Sequence, residues 1–537
     1  MRSYPSLRRG LVSALTLAIL GTVVAVVLWS GSRSGPERAQ ADEQKAAHNW
    51  PLFGGTVQRN LVNNVERNIP DSFDIEKGKE GNIKWVQELG SRSYGGPVVA
   101  GGKIFVGTNN QNPRDPKIQG DKGVVMCFNE ADGKFLWQAI YDKQPIGRAV
   151  DWPLQGICSS PVVEGNRLWF VNNLAQIVCA DVNGDAKTQK VKELWKVDMM
   201  KQPLGVVPHN LATCSPLIVG DTLFIITSNG VDLQHINIPA PQAPSFLALD
   251  KNTGKVLWQN NLPSVNLIGG KLPIKTLVNR GMLLMHGQWS NPVYTEIDGK
   301  GQIVFPGGDG WIYSFNPADG KLIWKFDCNP KDSVYTLGPK GTRNDFVSTP
   351  IIYKNRLYIG VGQDPEHDEG VGHLWCIDMT KQGDVSPTLA EWQGDKLTQK
   401  DNPNSAKVWH YGGALPKPVA GRKWEFGRTL STCAIKDDIL YVGELSGWFH
   451  CLDANTGKPY WTHNMKASTW SSPYIVDGKV FIGNDDNQLL VFQHGKVKKL
   501  LNTNDLDGKV RATPVACNGV LYVMTENKLY AISPNGK

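Results

Sequence analysis

The chain has 537 residues, 41% hydrophobic and 20% charged, so it can bury a sizeable core and is neither disordered along its length nor a polytopic membrane protein. Five Arg and one acid stand in residues 1–41, and they account for most of the net charge of +7; the remainder holds 52 basic against 49 acidic groups, or +3. No polybasic body remains, and nucleic-acid binding loses its electrostatic footprint.

Residues 1–10 form a basic start with Arg2, Arg8 and Arg9, and the 19 residues from Leu11 to Trp29 carry no charge. Residues 11–29 are therefore a signal peptide or a signal-anchor helix. As a helix they come just under the roughly 30 Å of bilayer hydrocarbon, and the basic leading side keeps the amino-terminus cytoplasmic. The body then faces outward. It is expected to be periplasmic or otherwise extracytoplasmic, and held in the inner membrane through residues 11–29 if the signal stays uncleaved. Ala39-Gln40-Ala41, within the polar linker 30–45, fits the small-x-small cleavage pattern. Cleavage and retention both stay open.

Beyond residue 80 a short segment recurs eight times: small residues, then Pro, a β-branched pair, a turn and an alternating apolar strand. The instances are Gly95-Gly96-Pro97, Ser159-Ser160-Pro161, Cys214-Ser215-Pro216, Ser290-Asn291-Pro292, Ser348-Thr349-Pro350, Ser431-Thr432-Cys433, Ser471-Ser472-Pro473 and Ala512-Thr513-Pro514. Period-2 alternation broken by Gly predicts a hairpin at each. A third strand follows, then a tight turn such as Asp250 to Lys255 or Asp453 to Lys458, then a fourth strand. The fourth strand reaches Trp137, Trp195, Trp258, Trp324, Trp409 and Trp461 in successive units, with Leu500 in the seventh. Four antiparallel strands per unit describe a propeller blade. The eighth unit stops at its turn, and Asn82 to Leu89, with Trp85 in the tryptophan position, supplies the missing strand. The expectation is an all-β, eight-bladed β-propeller over residues 81–537, closed by an N-terminal strand. Residues 46–80 would lie across one face of the ring, and one hydrophobic helix would precede it.

These units resemble the tryptophan-docking repeats of the bacterial PQQ-type, or quinoprotein dehydrogenase-like, β-propellers, over residues 81–537. At the level of blade type they also resemble the outer-membrane assembly lipoprotein BamB. The first Cys here is Cys127, so no site for a lipid-bearing Cys is expected. The resemblance implies two activities. A PQQ-dependent enzyme needs the quinone at one end of the channel, a divalent cation and a carboxylate base. The sequence has neither the adjacent Cys pair of alcohol-oxidising members nor a Cys-x-x-Cys-His haem motif.

Extra length is concentrated in Asn109 to Lys122, Asn237 to Pro244, Asn260 to Gly287, Asp327 to Asp345 and Thr380 to Lys407, and loops this long serve binding more often than packing. Of the nine Cys, Cys127, Cys179, Cys376 and Cys451 share the third-strand slot and Cys158, Cys214 and Cys433 lie at or beside the Pro-equivalent position, and such small repeated slots read as those of buried thiols. Two groups of side chains are candidates for chemistry. Asp364, Glu366, His367, Asp368, Glu369 and His373 follow the second strand of the fifth blade and could hold a hard or borderline cation; a solvated acidic loop is the competing reading. Arg92, His209, Trp289, Arg343, Asp345, Arg428, Trp470 and Arg511 lead into the innermost strands and should line one mouth of the channel. Converging Arg there suit an anionic ligand or a partner's carboxylates; ion pairs between neighbouring blades are the alternative.

The sequence is read as an envelope-associated scaffold for binding or assembly, with envelope proteins or a small anionic ligand as partner and no cofactor. A PQQ-dependent oxidoreductase of the alcohol or sugar dehydrogenase type, with PQQ and Ca2+, is the alternative.

Overall fold

The computed structural model describes residues 48–76, 81–265, 286–331, 333, 342, 344–367, 369–393, 396–419 and 422–536. The chain divides into two compact units, Met1–Ala46 and Ala47–Lys537. The basic start, the apolar run 11–29 and the linker 30–45 belong to the first and lie outside the described residues. No helix among the described residues is long and apolar enough to cross a membrane.

The second unit is all-β, with sheets resembling those of a β-propeller; among the described residues its helices are the four residues Leu262–Val265 and two single 3-10 turns. Among the described residues, eight four-stranded antiparallel modules follow one another. The first is Val98–Ala100, Lys103–Asn109, Gly123–Asn129 and Phe135–Tyr141, and the same order recurs within 162–198, 217–260, 293–327, 351–419, 434–464 and 474–505. The eighth has three strands from 515–532. Its fourth is Ile83–Glu88, antiparallel to Lys528–Ile532 with Val86 opposite Tyr530. All nine cysteines are free, and burial pushes those such as Cys127 and Cys433 well above the ordinary thiol range.

The repeated small residues have a physical reason. At six of the eight junctions the residue before the Pro, or before its Cys433 equivalent, hydrogen-bonds to its counterpart in the neighbouring module, which favours a short and mostly polar side chain. Ser160 Oγ donates to Gly96 O (2.9 Å), and Ser160 N–H donates to Ser215 Oγ (3.0 Å). The series continues from Ser215 N–H to Asn291 Oδ1 (2.5 Å) and from Asn291 Nδ2 to Thr349 Oγ1 (2.7 Å). Thr349 N–H then donates to Thr432 Oγ1 (3.2 Å) and Thr432 N–H to Ser472 Oγ (2.9 Å), while Ser471 Oγ reaches Ala512 O at 3.4 Å. At the remaining junction Gly96 lies so close to the eighth module that a Cβ would stand 3.2 Å from Thr513 O.

Outer junctions use tryptophan. Four fourth-strand indoles pack on the turn of the following module: Trp137 Nε1 donates to Val182 O, Trp195 to Lys251 O, Trp258 to Pro317 O and Trp409 to Ala454 O, all at 2.9–3.2 Å, whereas Trp324 Nε1 donates to Gln302 Oε1 of its own module. The turn residue under the ring is a glycine with positive φ, as at Gly254, Gly320 and Gly457. A Cβ there would come within 2.7–2.8 Å of the indole, so both conformation and space demand glycine. Trp85 of the amino-terminal strand meets Gly133 of the first module in the same way.

Residues 48–66 cross all eight modules at one end. Trp50 and Val99 exchange both backbone hydrogen bonds, Val163 N–H donates to Pro51 O, Tyr294 to Val57 O, Ile352 to Gln58 O and Ile475 to Leu61 O, at 2.8–3.0 Å. Ile435 N–H donates to Asn60 Oδ1, and Asn63 Nδ2 donates to Ala516 O. All seven of these module residues stand two positions after the Pro or its Cys433 equivalent, and six of them offer an N–H there while Ala516 offers its carbonyl. Arg59 serves the third module. Fully buried, its guanidinium donates to the carbonyls of Ser215 (2.8 Å), Pro216 (3.0 Å), Pro292 (2.6 Å) and Phe53 (3.0 Å), and burial pulls it down to about 10. Arg59→Met should strand four carbonyls and destabilise the protein by about 3–5 kcal/mol, since each buried unsatisfied group costs about 1–3 kcal/mol and some find water. Urea unfolding of the variant beside the parent measures it; a midpoint shift under a few tenths of a kcal/mol would show the strap to be ornamental.

Candidate functional site

A cavity of about 510 Å³ lies against the hydrogen-bonded series, lined by one residue from near each repeated Pro: Gly95, Ser160, Ser215, Asn291, Thr349, Thr432, Ser472 and Thr513. Phe53 of the amino-terminal strap lines it too. Around it stand Arg92, Tyr94, Trp152, Trp289, Trp470 and Arg511, and Glu366 is its one carboxylate among the described residues.

The two arginines differ. Arg511 is held by Asp485 through two hydrogen bonds (2.9 and 2.5 Å), lies 4.8 Å over the Trp470 ring, and donates to Tyr94 OH at 3.2 Å. Burial alone would lower it, but Asp485 raises it above the ordinary arginine value. Arg92 lines the same wall with only a 3.4 Å contact to Tyr94 OH. Arg428 is placed otherwise than a mouth residue: it is buried, and its guanidinium donates to His367 O and to Gln363 Oε1 (2.7 Å), clamping the 363–370 loop. Arg343 and Asp368 lie outside the described residues.

Behind the cavity wall the two sequence candidates merge. Asp364, Glu366 and His367 of the fifth module approach His209 and Asp345, and two histidines not anticipated from the sequence join them. His235 comes just before the Pro-rich insertion, and His286 from the end of the 260–287 insertion. His286 Nδ1 is 3.3 Å from Asp345 Oδ2 and its Nε2 is 3.0 Å from Asp364 Oδ2, while His367 Nδ1 is 3.1 Å from the same Asp364 oxygen. His235 Nε2 lies 3.5 Å from Glu366 Oε2, and Asn210 Nδ2 donates to Glu366 Oε1 at 2.6 Å. His209 Nδ1 donates to Val231 O at 2.9 Å, and Trp289 Nε1 donates to His209 O. The His235 and His286 rings stack 4.7 Å apart, and His209 meets both edge-on.

The environment pulls these groups apart. Burial, with the neighbouring imidazoles, takes His209 down to about 3 and His235 to about 4. Burial would lower His286 as well, but Asp345 and Asp364 outweigh it and bring it up to about 9. Asp345 is raised by burial; Asp364, although buried, is held below the carboxylate range by His286 and His367. Burial and Asp364 raise Glu366. The unread signal was positional, since both new histidines sit at the edges of the insertions singled out as too long for packing.

Compared with known proteins, residues 78–392 and 308–537 match the family described as outer membrane protein assembly factor BamB, of the PQQ-like repeat type. The chain belongs to this family. It is 22% identical over 383 residues to the tetrathionate hydrolase of Acidithiobacillus ferrooxidans, covering 65% of this chain and 60% of that protein. To BamB of Yersinia pestis it is 20% identical over 302 residues (52% and 62%), and to a Pseudomonas polyvinylalcohol dehydrogenase 22% over 449 residues (73% and 64%). The chain thus spans less than two thirds of each of these relatives. Among solved structures, BamB from Moraxella catarrhalis aligns with a TM-score of 0.49 at 12% identity over 84% of this chain and 97% of that one. A europium-containing methanol dehydrogenase gives 0.45 at 13% over 90% and 98%. BamB-type and dehydrogenase relatives therefore both occur at low identity.

Two residues of the sequence candidates stay outside the cluster. Glu369 lines a neighbouring opening with Trp424 and Trp470. His373 is buried on its strand, with Nδ1 2.9 Å from His410 Nε2, beside Trp375. Burial takes His373 down to about 3 and His410 to about 4. Both folded values lie below the ordinary 6.5, so the unfolded chain binds the extra protons on acidification. Their contribution is full above about pH 6.5 and is lost as pH falls towards 4 and then 3. Each imidazole should remove up to about 1.4 kcal/mol per pH unit in that window. The free energy of unfolding against pH, measured for the parent and for His373→Gln with His410→Gln, should show a shallower acid slope in the variant; identical slopes would refute the assignment.

Proposed function

We propose that the chain is an exported, envelope-associated eight-bladed propeller, closed by its amino-terminal strand, that works as a binding module rather than by PQQ chemistry. Its ligand is a small anionic molecule taken at the open mouth. The observation that carries this is the cavity itself. It is lined by the strap residue Phe53, by aromatic side chains and by a series of short hydroxyl and amide side chains, and supplied with a guanidinium, Arg92, that no carboxylate among the described residues neutralises. A recessed apolar pocket with a few convergent polar groups suits a small molecule better than a flat protein surface. The uncharged run 11–29 supports export, and residues 48–66 are the strap that seats the modules.

The residues present do not fit the PQQ and Ca2+ pair. Ca2+ takes six to eight oxygen ligands, whereas Glu366 is the cavity's one described carboxylate and the acids behind the wall are interleaved with four imidazoles. Arg511, the second cation that a quinone carboxylate would need, already holds Asp485 on two hydrogen bonds.

Tryptophan fluorescence of the protein titrated with tetrathionate, small dicarboxylates, a polyvinyl alcohol oligomer, and PQQ with Ca2+ tests the reading, because Trp152, Trp289 and Trp470 line the pocket. An anion should quench saturably, and Arg92→Ala should weaken it about tenfold or more, the loss of one charge-assisted contact, with an unchanged unfolding midpoint. Saturable PQQ binding with dye reduction would overturn the binding-module reading in favour of an oxidoreductase.

A further inference from the structure

We propose that His209, His235 and His286 form a site for a divalent transition metal, with Zn2+ as the reference ion, placed behind the cavity wall and braced by Asp345 and Asp364. One ring nitrogen from each of the three histidines lies within 4.8 Å of the others, and His286, Asp345 and Asp364 meet the same criterion. The ligands come from three separate places: the approach to the third module, the loop after its second strand, and the end of the 260–287 insertion. No local hydrogen-bonding motif accounts for their convergence.

The second observation concerns unmet polar atoms. His235 Nε2, His286 Nδ1, His286 Nε2 and Asp345 Oδ2 are buried and make no well-aligned hydrogen bond, although carboxylate oxygens or imidazole nitrogens stand 3.0–3.5 Å away. Asp345 is 3% exposed and Asp364 1%, so water does not relieve them. Such buried atoms without an aligned partner cost free energy, and His286 has one on each side of its ring.

The surroundings are those a metal ligand needs. His209 commits Nδ1 to the Val231 carbonyl, which accepts its proton and leaves Nε2 as the acceptor nitrogen, with Asn210 Nδ2 donating to it over a long 3.3 Å that an ion would replace. His286 has a carboxylate facing each nitrogen, so one can take the ring proton while the other nitrogen binds the ion. Outer-shell carbonyls and carboxylates of this kind fix the tautomer and ring orientation of ligating histidines. Zn–N bonds of about 2.0–2.1 Å put tetrahedral ligands about 3.4 Å apart, which asks for sub-ångström movement of each ring. Imidazole-rich donors with carboxylates select borderline ions such as Zn2+, Co2+, Ni2+ or Cu2+ over the hard Ca2+. Asn210 and Glu366, which touch the cluster, also line the cavity, so the ion would lie one side chain from its wall.

The site does not depend on the anionic-ligand reading, because its titration uses the metal alone. The chelator-stripped full chain is titrated with Zn2+ in a calorimeter and with Co2+ by visible absorption. A single equivalent of Zn2+ should bind, and Co2+ should give the intense bands of four- or five-coordination. Asp345→Asn should weaken Zn2+ by about 10–100-fold, the usual effect of an outer-shell change, and His235→Ala by more. His410→Ala, in the distant pair, should leave affinity unchanged. His235 is part-exposed on a loop, so its variant keeps the fold testable by unfolding midpoint even if His286→Ala does not fold. Equal heats for parent and His235→Ala, a weak octahedral Co2+ spectrum, or tighter Ca2+ than Zn2+ binding would each overturn the site.

Discussion

The positive charge of Arg59, buried among carbonyls without an ion pair among the described residues, is the constraint that organises this molecule. A guanidinium removed from water is costly unless its N–H groups are filled, and here they are filled by the strap itself and by the innermost ends of the third and fourth modules. Its neighbours in the strap serve the first, second and fourth to eighth modules through one or two hydrogen bonds each. The segment thus ties the modules together, and its Phe53 lines the cavity beside Arg92, Arg511 and the indoles.

Two further devices hold the modules side by side, and they operate at different radii. Near the cavity, short polar side chains pass hydrogen bonds from one module to the next; farther out, indoles sit on turn glycines. Neither tolerates bulk at its contact point, and together they leave the loops beyond the second strands free to carry insertions without disturbing the packing. His235 and the 363–370 loop belong to those connections, and His286 closes the long insertion after the third module. Arg428 clamps one of these loops, so a residue expected at the mouth shapes the histidine cluster's surroundings from behind.

The BamB-type family membership fixes the blade type and leaves the activity to the site. The cavity and the histidine cluster have different chemistries. One is aromatic and cationic, the other imidazole and carboxylate, and Glu366 and Asn210 border both. A ligand at the mouth and an ion behind the wall would therefore share a partition one side chain thick.

The repeat pattern alone determined the strand order, the four-strand grouping, the pairing of Ile83–Glu88 with Lys528–Ile532, and the tryptophan positions, because period-2 alternation and turn glycines are local consequences of each residue's own geometry. It placed Arg92, Trp289, Trp470 and Arg511 at one mouth of the channel from their position relative to the repeated Pro, and the structure sets these four against the cavity. What only the tertiary structure decided was which side chains meet across modules: Arg428 with the 363–370 loop, His373 with His410, and His235 and His286 with His209, Asp345 and Asp364. Insertions have no repeat to index them, and the direction a loop takes depends on packing between modules far apart in sequence.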